Sequence, residues 1–335
     1  MRTVSSDLEL PKHLYIETTS RCNLRCRGCI LHHGSWEPQR DLSLDELIII
    51  CDQVPKLERI ALHGIGEPLL NQELPNMIKY LKKRKAFVFF NSNGILLDER
   101  CQNQLIDTGL DELRISLDAA SPEGYKTIRD SDKFNLIISN VQAFSKRIKS
   151  LHVSHPKLSL WYLGTRDNIS ELPSFVRLAA GLGITEVYLQ RLVYFQDHEG
   201  YGLARSEKTL MDSNAVITEL INESSQIAKR SGIQFNASGL GNPIESLQKG
   251  IQNPLSWKRC YRPTTLMYIT ANGNVLPCCI SPFSISDYDS IILGNIFDNS
   301  LAEIWSGDKY RAFRKKRQTE NPPKCCKGCG ILWSL

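Results

Sequence analysis

Between residues 13 and 192, short apolar segments of strand character alternate with amphipathic helical segments, and this alternation limits the possible folds more than any other feature. Parallel neighbours cannot be joined by a tight turn; each pair needs a crossover, normally a helix, and the crossover is right-handed. The sequence predicts strands over 13–18, 57–63, 86–91, 112–118, 158–163 and 186–192, with helices over 43–54, 74–84, 97–108, 122–149 and 169–182 between them. Ser43 with Glu46 three residues on reads as a capping box, and Pro75 is tolerated in a first helical turn. Six such units imply an α/β protein whose parallel sheet is covered on both faces. A closed barrel takes eight units, so we expect an open, partial (β/α)6 barrel of TIM type over 13–195, with a doubly wound sheet as the alternative.

Beyond residue 195 the rhythm changes. Residues 195–208 are polar and contain glycine, 210–230 read as a long helix and 232–237 as a strand. Residues 266–270 and 274–278 read as a hairpin about Ala271-Asn272-Gly273, because Asn-Gly between alternating apolar residues is a strong turn signal. A helix over 301–317 follows. These features divide the chain into an N-terminal extension (1–12), a barrel (13–195), a helical connecting region (196–259) and a small cysteine-rich module (260–335). At 335 residues, with 41% hydrophobic and 23% charged residues, a core can form without disulfides. A net charge of +5 is too small to imply a nucleic-acid partner. No apolar run approaches the ~20 residues of a membrane span and no secretory signal is visible, so we expect a cytoplasmic protein with no membrane partner. Arg311, Arg314, Lys315, Lys316, Arg317, Lys324 and Lys327 read as a solvated helix face, with a docking surface for an acidic partner as the alternative.

In a reducing compartment clustered cysteines are metal ligands or redox groups rather than disulfides. Nine of the 11 cysteines cluster, whereas Cys51 and Cys101 lie in apolar or helical segments and read as core. Cys22, Cys26 and Cys29 follow the first strand, and Glu67, Asn93 and Asp118 fall after later ones. Strand ends are where this architecture places reactive groups. A [4Fe–4S] cluster takes four ligands, so three neighbouring cysteines leave one iron open to a substrate or cofactor. A zinc site completed by His32 or His33 is the alternative.

The C-x3-C-x2-C spacing of Cys22, Cys26 and Cys29 after a first strand, inside a run of βα units, resembles the radical S-adenosylmethionine (radical SAM) superfamily. Ile65-Gly66-Glu67-Pro68 is similar to the family's GGE-like motif, which holds the methionyl amino group. Asn91-Ser92-Asn93-Gly94 resembles the step after strand three. Arg114-Ile115-Ser116-Leu117-Asp118 resembles the fourth strand, whose polar residues face the ribose and the methionine, and Arg129 matches an arginine able to pair with the methionyl carboxylate. One departure is Gly28, where the family commonly has an aromatic residue near the adenine; Gln190 is the remaining polar candidate there. The resemblance implies a [4Fe–4S] cluster on Cys22, Cys26 and Cys29 that binds and reductively cleaves SAM. The resulting 5′-deoxyadenosyl radical removes a hydrogen atom from a substrate C–H. It also implies an external electron donor of flavodoxin or ferredoxin type.

Cys260, Gly273 and Cys278 form C-x12-G-x4-C. Together with Leu293-Gly294-Asn295-Ile296, the segment 300–305, Arg314 and Cys326-x2-Cys329, this resembles SPASM and the shorter twitch extensions, which carry auxiliary clusters. The resemblance implies one auxiliary [4Fe–4S] cluster on Cys260, Cys278, Cys326 and Cys329, with a zinc ribbon as the alternative. Two thiols are left over, Cys279 and Cys325. Cys279 is either a spare thiol or a hydrogen-atom donor, which would make the enzyme an epimerase; Cys325, Cys326 and Cys329 could seat a thiophilic metalloid such as arsenite. Relatives with such tails oxidise or epimerise sugars and aminocyclitols or modify ribosomal peptides. Only about twelve residues precede the first strand, little for a leader-binding domain, so we expect a small-molecule substrate. Peptide crosslinking, thioether formation or epimerisation is the alternative, and a non-radical zinc or iron–sulfur protein the competing class.

Overall fold

The computed structural model describes residues 9–32, 37–194, 205–210, 215–238, 243, 256–283, 287–327 and 329. His33 and, within the 196–259 region, residues 196–204, 211–214, 239–242 and 244–255 lie outside the described residues. The first strand, β1 (His13–Ile16), is flanked on both sides in a ten-stranded sheet. On one side follow β2 (Arg59–Ala61), β3 (Phe87–Ser92), β4 (Glu112–Ser116), β5 (Lys157–Gly164), β6 (Glu186–Arg191) and β7 (Gln234–Ala237), every pair parallel. On the other side β8 (Leu266–Ile269) pairs with β1 in parallel, and β9 (Asn274–Leu276) and β10 (Gly294–Asn295) continue antiparallel.

All six expected barrel strands form, and the sheet stays open, with β7 and β10 at its edges. It runs through both expected domain divisions. The helix Ala215–Arg230 and β7 add a further parallel step from the connecting region, and β8 carries the C-terminal hairpin directly onto β1.

The crossover helices are α1 (Leu44–Asp52), α2 (Leu74–Lys83), α3 (Glu99–Asp107), α4 (Pro122–Arg129), α5 (Phe134–Ser150), α6 (Leu172–Gly181) and α7 (Ala215–Arg230). The capping box of Ser43 and Glu46 is present at α1. The helices expected over 122–149 are α4 and α5, separated at Asp130, which ends α4 in a left-handed conformation. A short turn, α8 (Arg262–Thr265), precedes β8. The expected helix over 301–317 is broken at Gly307 into α9 (Leu301–Ser306) and α10 (Asp308–Arg317), and α11 (Lys324–Lys327) carries two of the closing cysteines.

Side chains alternate across each strand. Leu14, Ile16, Val88, Phe90, Leu113, Ile115, Leu160, Val187 and Leu189 bury against the helices in one core. The residues between them, including Tyr15, Asn91, Arg114, Trp161, Tyr188 and Gln190, line the inside of the open barrel. Two members of the basic helix face are not solvated. Arg314 lies 4.0 Å from the ring centroids of both Trp305 and Tyr310 and donates to the carbonyls of Pro263 (2.8 Å) and Trp305 (2.6 Å). Arg317 donates to the carbonyls of Trp257 and Lys258. Flat guanidinium groups stack on rings and satisfy carbonyls where a lysine could not, and Arg311, Lys315, Lys316, Lys324 and Lys327 remain exposed. No described helix is long and apolar enough to cross a membrane.

The β8–β9 turn depends on Gly273, whose φ of +83° is a left-handed conformation and whose added Cβ would lie 2.4 Å from the Phe297 ring. Gly273→Ala is expected to lose about 1–2 kcal/mol for the conformation alone, plus the collision. In thermal or denaturant unfolding, adding Phe297→Ala should recover only the steric part.

Candidate active site

The loop after β1 is closed at its base by the Thr19–Asp41 bridge. Asp41 accepts from the Thr19 hydroxyl (2.6 Å) and pairs with Arg21 through Nε (2.9 Å) and Nη2 (2.5 Å). Cys22, Cys26 and Cys29 sit on this loop, none in a disulfide. Burial pushes the Cys22 thiol up to about 11 and the Cys29 thiol up to about 12, and the nearby Cys26 adds to both shifts. Such thiols ionise only when a metal centre takes up their charge.

The turn after β2 fits beneath this loop. The Glu67 amide donates to the Arg21 carbonyl (2.8 Å), and a Cβ on Gly66 would fall 2.0 Å from the Thr19 carbonyl oxygen. Only glycine allows that approach. Glu67 is 3% exposed. Its carboxylate accepts from the Ser92 hydroxyl (2.8 Å), the Asn93 amide (2.7 Å) and the Leu69 amide (3.2 Å). Burial raises its pKa, opposed by these donors and by Arg129. A carboxylate has about four acceptor positions, so one is left for a further donor. The Asn93 side chain is engaged locally, donating to Asn23 Oδ1 and accepting from the Ile95 amide.

Asp118 follows β4 at a φ of +61°. It accepts from the Leu163 amide (2.7 Å) and forms a close ion pair with Arg129 at the end of α4. Arg129 Nη1 approaches Cys26 Sγ at 3.5 Å, while its buried Nε has no hydrogen-bond partner among the described residues. Gly66, Glu67, Asn93, Ser116, Asp118, Arg129 and Gln190 all line one cavity of about 270 Å³ with Cys22, Cys26 and Cys29. Every expected contact of the first site is therefore brought together.

A second cavity of about 520 Å³ adjoins it and shares Gly28, His63, Gly64, Asn91 and Gln190 with it. Gly28, the departure from the family pattern, contributes no side chain to this junction. The second cavity is also lined by Tyr15, Arg114, Trp161, Tyr188, Arg262, Tyr268 and Cys279. Of these only Cys279 was expected at a site. The legible signal for the others is polar or aromatic residues at every second position of otherwise apolar strands, with Tyr268 contributed by the C-terminal hairpin and Arg262 by the short turn before it.

The tail cysteines also converge. Cys278 follows β9, and its thiol is raised by burial and further by Cys279, Cys260 and Cys329. Burial likewise raises Cys260, with Cys326 adding to the effect and Arg262 opposing it. The Cys329 amide donates to the Cys326 carbonyl (3.3 Å), closing the Cys-x2-Cys turn. Cys325 is 4% exposed and packs in the hydrophobic core. Cys325, Cys326 and Cys329 line neither of these two cavities. Among the described residues no three His, Cys, Asp or Glu side chains form a site for a single metal ion.

Family models match the chain over residues 16–179 (radical SAM superfamily) and 260–330 (SPASM, an iron–sulfur cluster-binding domain). The chain belongs to the radical SAM superfamily and carries a C-terminal SPASM domain. It is accordingly an enzyme that uses a [4Fe–4S] cluster with SAM, together with auxiliary iron–sulfur binding. It is 24% identical over 326 residues to the tungsten-containing aldehyde ferredoxin oxidoreductase cofactor-modifying protein of Pyrococcus furiosus, covering 94% of this chain and 86% of that protein. It is 25% identical over 333 residues to the PqqA peptide cyclase of Granulibacter bethesdensis, covering 97% and 81%. Streptococcus suis SuiB bound to S-adenosylmethionine has the same fold, with a TM-score of 0.70 at 17% identity over 97% of this chain and 72% of that one. SuiB has also been solved with its precursor peptide SuiA (TM-score 0.67, 16% identity, 97% and 71% covered). The residues present fit the family's cofactors: three free thiols on one loop, the unpartnered Arg129 Nε for a carboxylate, and an acceptor position on Glu67 for an ammonium.

Two titratable groups, His63 on the wall of both cavities and Glu17 behind the Ile65-Gly66 turn, act on stability with opposite sign. Burial, with Arg114 nearby, holds His63 down at about 3 against an ordinary 6.5, and its Nδ1 accepts from the Asn91 amide. Its contribution to stability is complete above pH 6.5 and is lost as pH falls toward 3, because the unfolded chain takes the proton there. Glu17 is raised by burial from 4.5 to about 7, so its contribution is complete below pH 4.5 and is lost as pH rises through 7. In Tm measured from pH 4 to 8, His63→Asn should flatten the acid side and Glu17→Gln the neutral side. Unchanged slopes would contradict both assignments.

Proposed function

We propose that this radical SAM enzyme modifies a peptide, generating a radical at an unactivated C–H of one residue. The observation that carries this reading is the similarity, over nearly the whole chain, to a PqqA peptide cyclase. The fold of SuiB, solved with its precursor peptide, supports it. The small-molecule substrate expected from the sequence has less support, and the peptide reading takes its place.

In this proposal Cys22, Cys26 and Cys29 hold the cluster, and Cys260, Cys278, Cys326 and Cys329 the auxiliary one. When bound, such a cluster would supply the one-electron reduction of SAM from which a hydrogen-abstracting 5′-deoxyadenosyl radical comes. Glu67 accepts the methionyl ammonium at its remaining position. Arg129 offers Nε to the methionyl carboxylate while Asp118 fixes the guanidinium. Gly66 brings backbone close to the same end, and Ser116, Asn93 and Gln190 complete the polar wall. An external donor of flavodoxin or ferredoxin type supplies the electron.

A second reading, epimerisation, rests on Cys279, which lines the larger cavity. Its S–H hydrogen atom would pass to the substrate carbon radical, and the thiyl radical left behind would be reduced by one electron and one proton from the external donor.

Anaerobic reconstitution should give about eight irons per chain. Cys26→Ala should abolish 5′-deoxyadenosine formation. Glu67→Gln and Arg129→Met should each weaken SAM binding about 10–100-fold, the worth of one hydrogen bond to a charged group. Candidate precursor peptides and aminocyclitols are then compared for product formed in step with 5′-deoxyadenosine. A peptide that loses two hydrogens or inverts a centre supports the proposal; coupling to an aminocyclitol and to no peptide overturns it.

A further inference from the structure

The larger cavity carries charge that the scheme above does not use. Its lining holds three arginines, Arg114, Arg191 and Arg262, against two glutamates, Glu112 and Glu186. Both glutamates are already matched. Arg114 forks onto Glu112 through two bonds of 2.9 Å, and Glu186 pairs with Lys157 at 2.5 Å while accepting from Asn236 at 3.0 Å. Arg262 makes no ion pair with a carboxylate among the described residues.

Tyr268, on β8, is a second and independent observation. It is 1% exposed and lines the same cavity, and its hydroxyl has no hydrogen-bond partner among the described residues. A buried hydroxyl left unpaired costs about 1–3 kcal/mol, a cost that a ligand acceptor would remove. The space beside it is kept by Gly64, where a Cβ would come within 2.6 Å of that hydroxyl. Asn91 Oδ1, also buried without a partner, belongs to the wall common to both cavities and offers an acceptor to an N–H.

We infer that Arg262 and Tyr268 form a carboxylate-binding subsite, which holds an anionic group of the substrate beside the SAM cavity. A guanidinium fork and a hydroxyl on the wall of one cavity offer the donors that a carboxylate accepts, and Asn91 offers an acceptor to an amide N–H of the same ligand. Resting on the peptide reading, this narrows the substrate to one that presents an acidic side chain or a C-terminal carboxylate near the reacting carbon.

The test is equilibrium dialysis of three probes against the reconstituted full-length enzyme with SAM. N-acetylglutamate α-methylamide carries a side-chain carboxylate, N-acetylalanine a terminal one, and N-acetylglutamine α-methylamide is the neutral isostere. At least one carboxylate probe should bind about tenfold more tightly than the neutral one, and which of the two does so identifies the source of the anion. Arg262→Gln should abolish the preference, Arg262→Lys should keep part of it, and Tyr268→Phe should weaken carboxylate binding about threefold. Equal binding of charged and neutral probes overturns the proposal, as does a preference that survives Arg262→Gln. Arg262 lies two residues from Cys260, so iron content is measured for each variant. Should Arg262→Gln lose iron, Tyr268→Phe decides, and an undiminished preference there overturns the subsite. Failure of peptide modification is read separately, from the absence of product coupled to 5′-deoxyadenosine, and leaves the binding result standing.

Discussion

Glu17, the residue after β1, joins three parts of the molecule that are remote in sequence. Its amide donates to the Ile269 carbonyl at the end of β8 (2.9 Å). One carboxylate oxygen accepts from the amides of Ile65 (2.6 Å) and Gly66 (3.4 Å), and the other from Ala271 (3.2 Å) in the C-terminal hairpin turn. The loop bearing Cys22, Cys26 and Cys29, the turn bearing Glu67 and the hairpin leading to Cys278 are thus fixed relative to one another through one buried side chain. Glu37 adds a second tie, accepting from Thr270, Asn272, Asn274 and Tyr288 around the same hairpin. Buried carboxylates are tolerated only where donors surround them, so these ties are specific to the geometry they hold.

The strand alternation divides the labour of the sheet. Outward positions are aliphatic and join the helices in a continuous core. Inward positions are polar or aromatic, and they are organised: Arg114 lies over Phe89 at 4.0 Å, Trp161 stacks on Tyr188 at a centroid distance of 4.0 Å, and Arg114 and Glu112 neutralise each other. A closed eight-stranded barrel fills its interior with side chains. Here the open sheet leaves two adjoining cavities, one walled by the cysteine loop and the other closed by β8 and the residues that follow the hairpin. The SPASM domain therefore helps to wall the larger cavity as well as carrying its cysteines.

Much of the first site was legible in the sequence because its parts are local. Glu67, Asn93, Asp118 and the three cysteines each sit within a few residues of a strand end, and strand ends follow from hydrophobic periodicity. Gly307 was harder to read, since a broken helix leaves the apolar spacing nearly intact. Arg314 and Arg317 were misread as solvated because a basic run on a helix carries no sign of which arginines meet a ring or a carbonyl. Tyr15, Arg114, Tyr188 and Tyr268 share a cavity only because strands far apart in the chain are neighbours in the sheet.

By itself the sequence determined the parallel α/β architecture, the order of the first six strands, the cysteine loop and the residues of the smaller cavity, because helix and strand periods and turn chemistry act over a few residues. Only the tertiary structure decided that β7 extends the sheet, that β8 lies against β1, and that Arg262, Tyr268 and Cys279 face the barrel interior. Those outcomes depend on pairing between segments about 250 residues apart, such as His13 with Leu266, whose register is set by the packing of the whole sheet and by buried ties such as Glu17 rather than by any local signal.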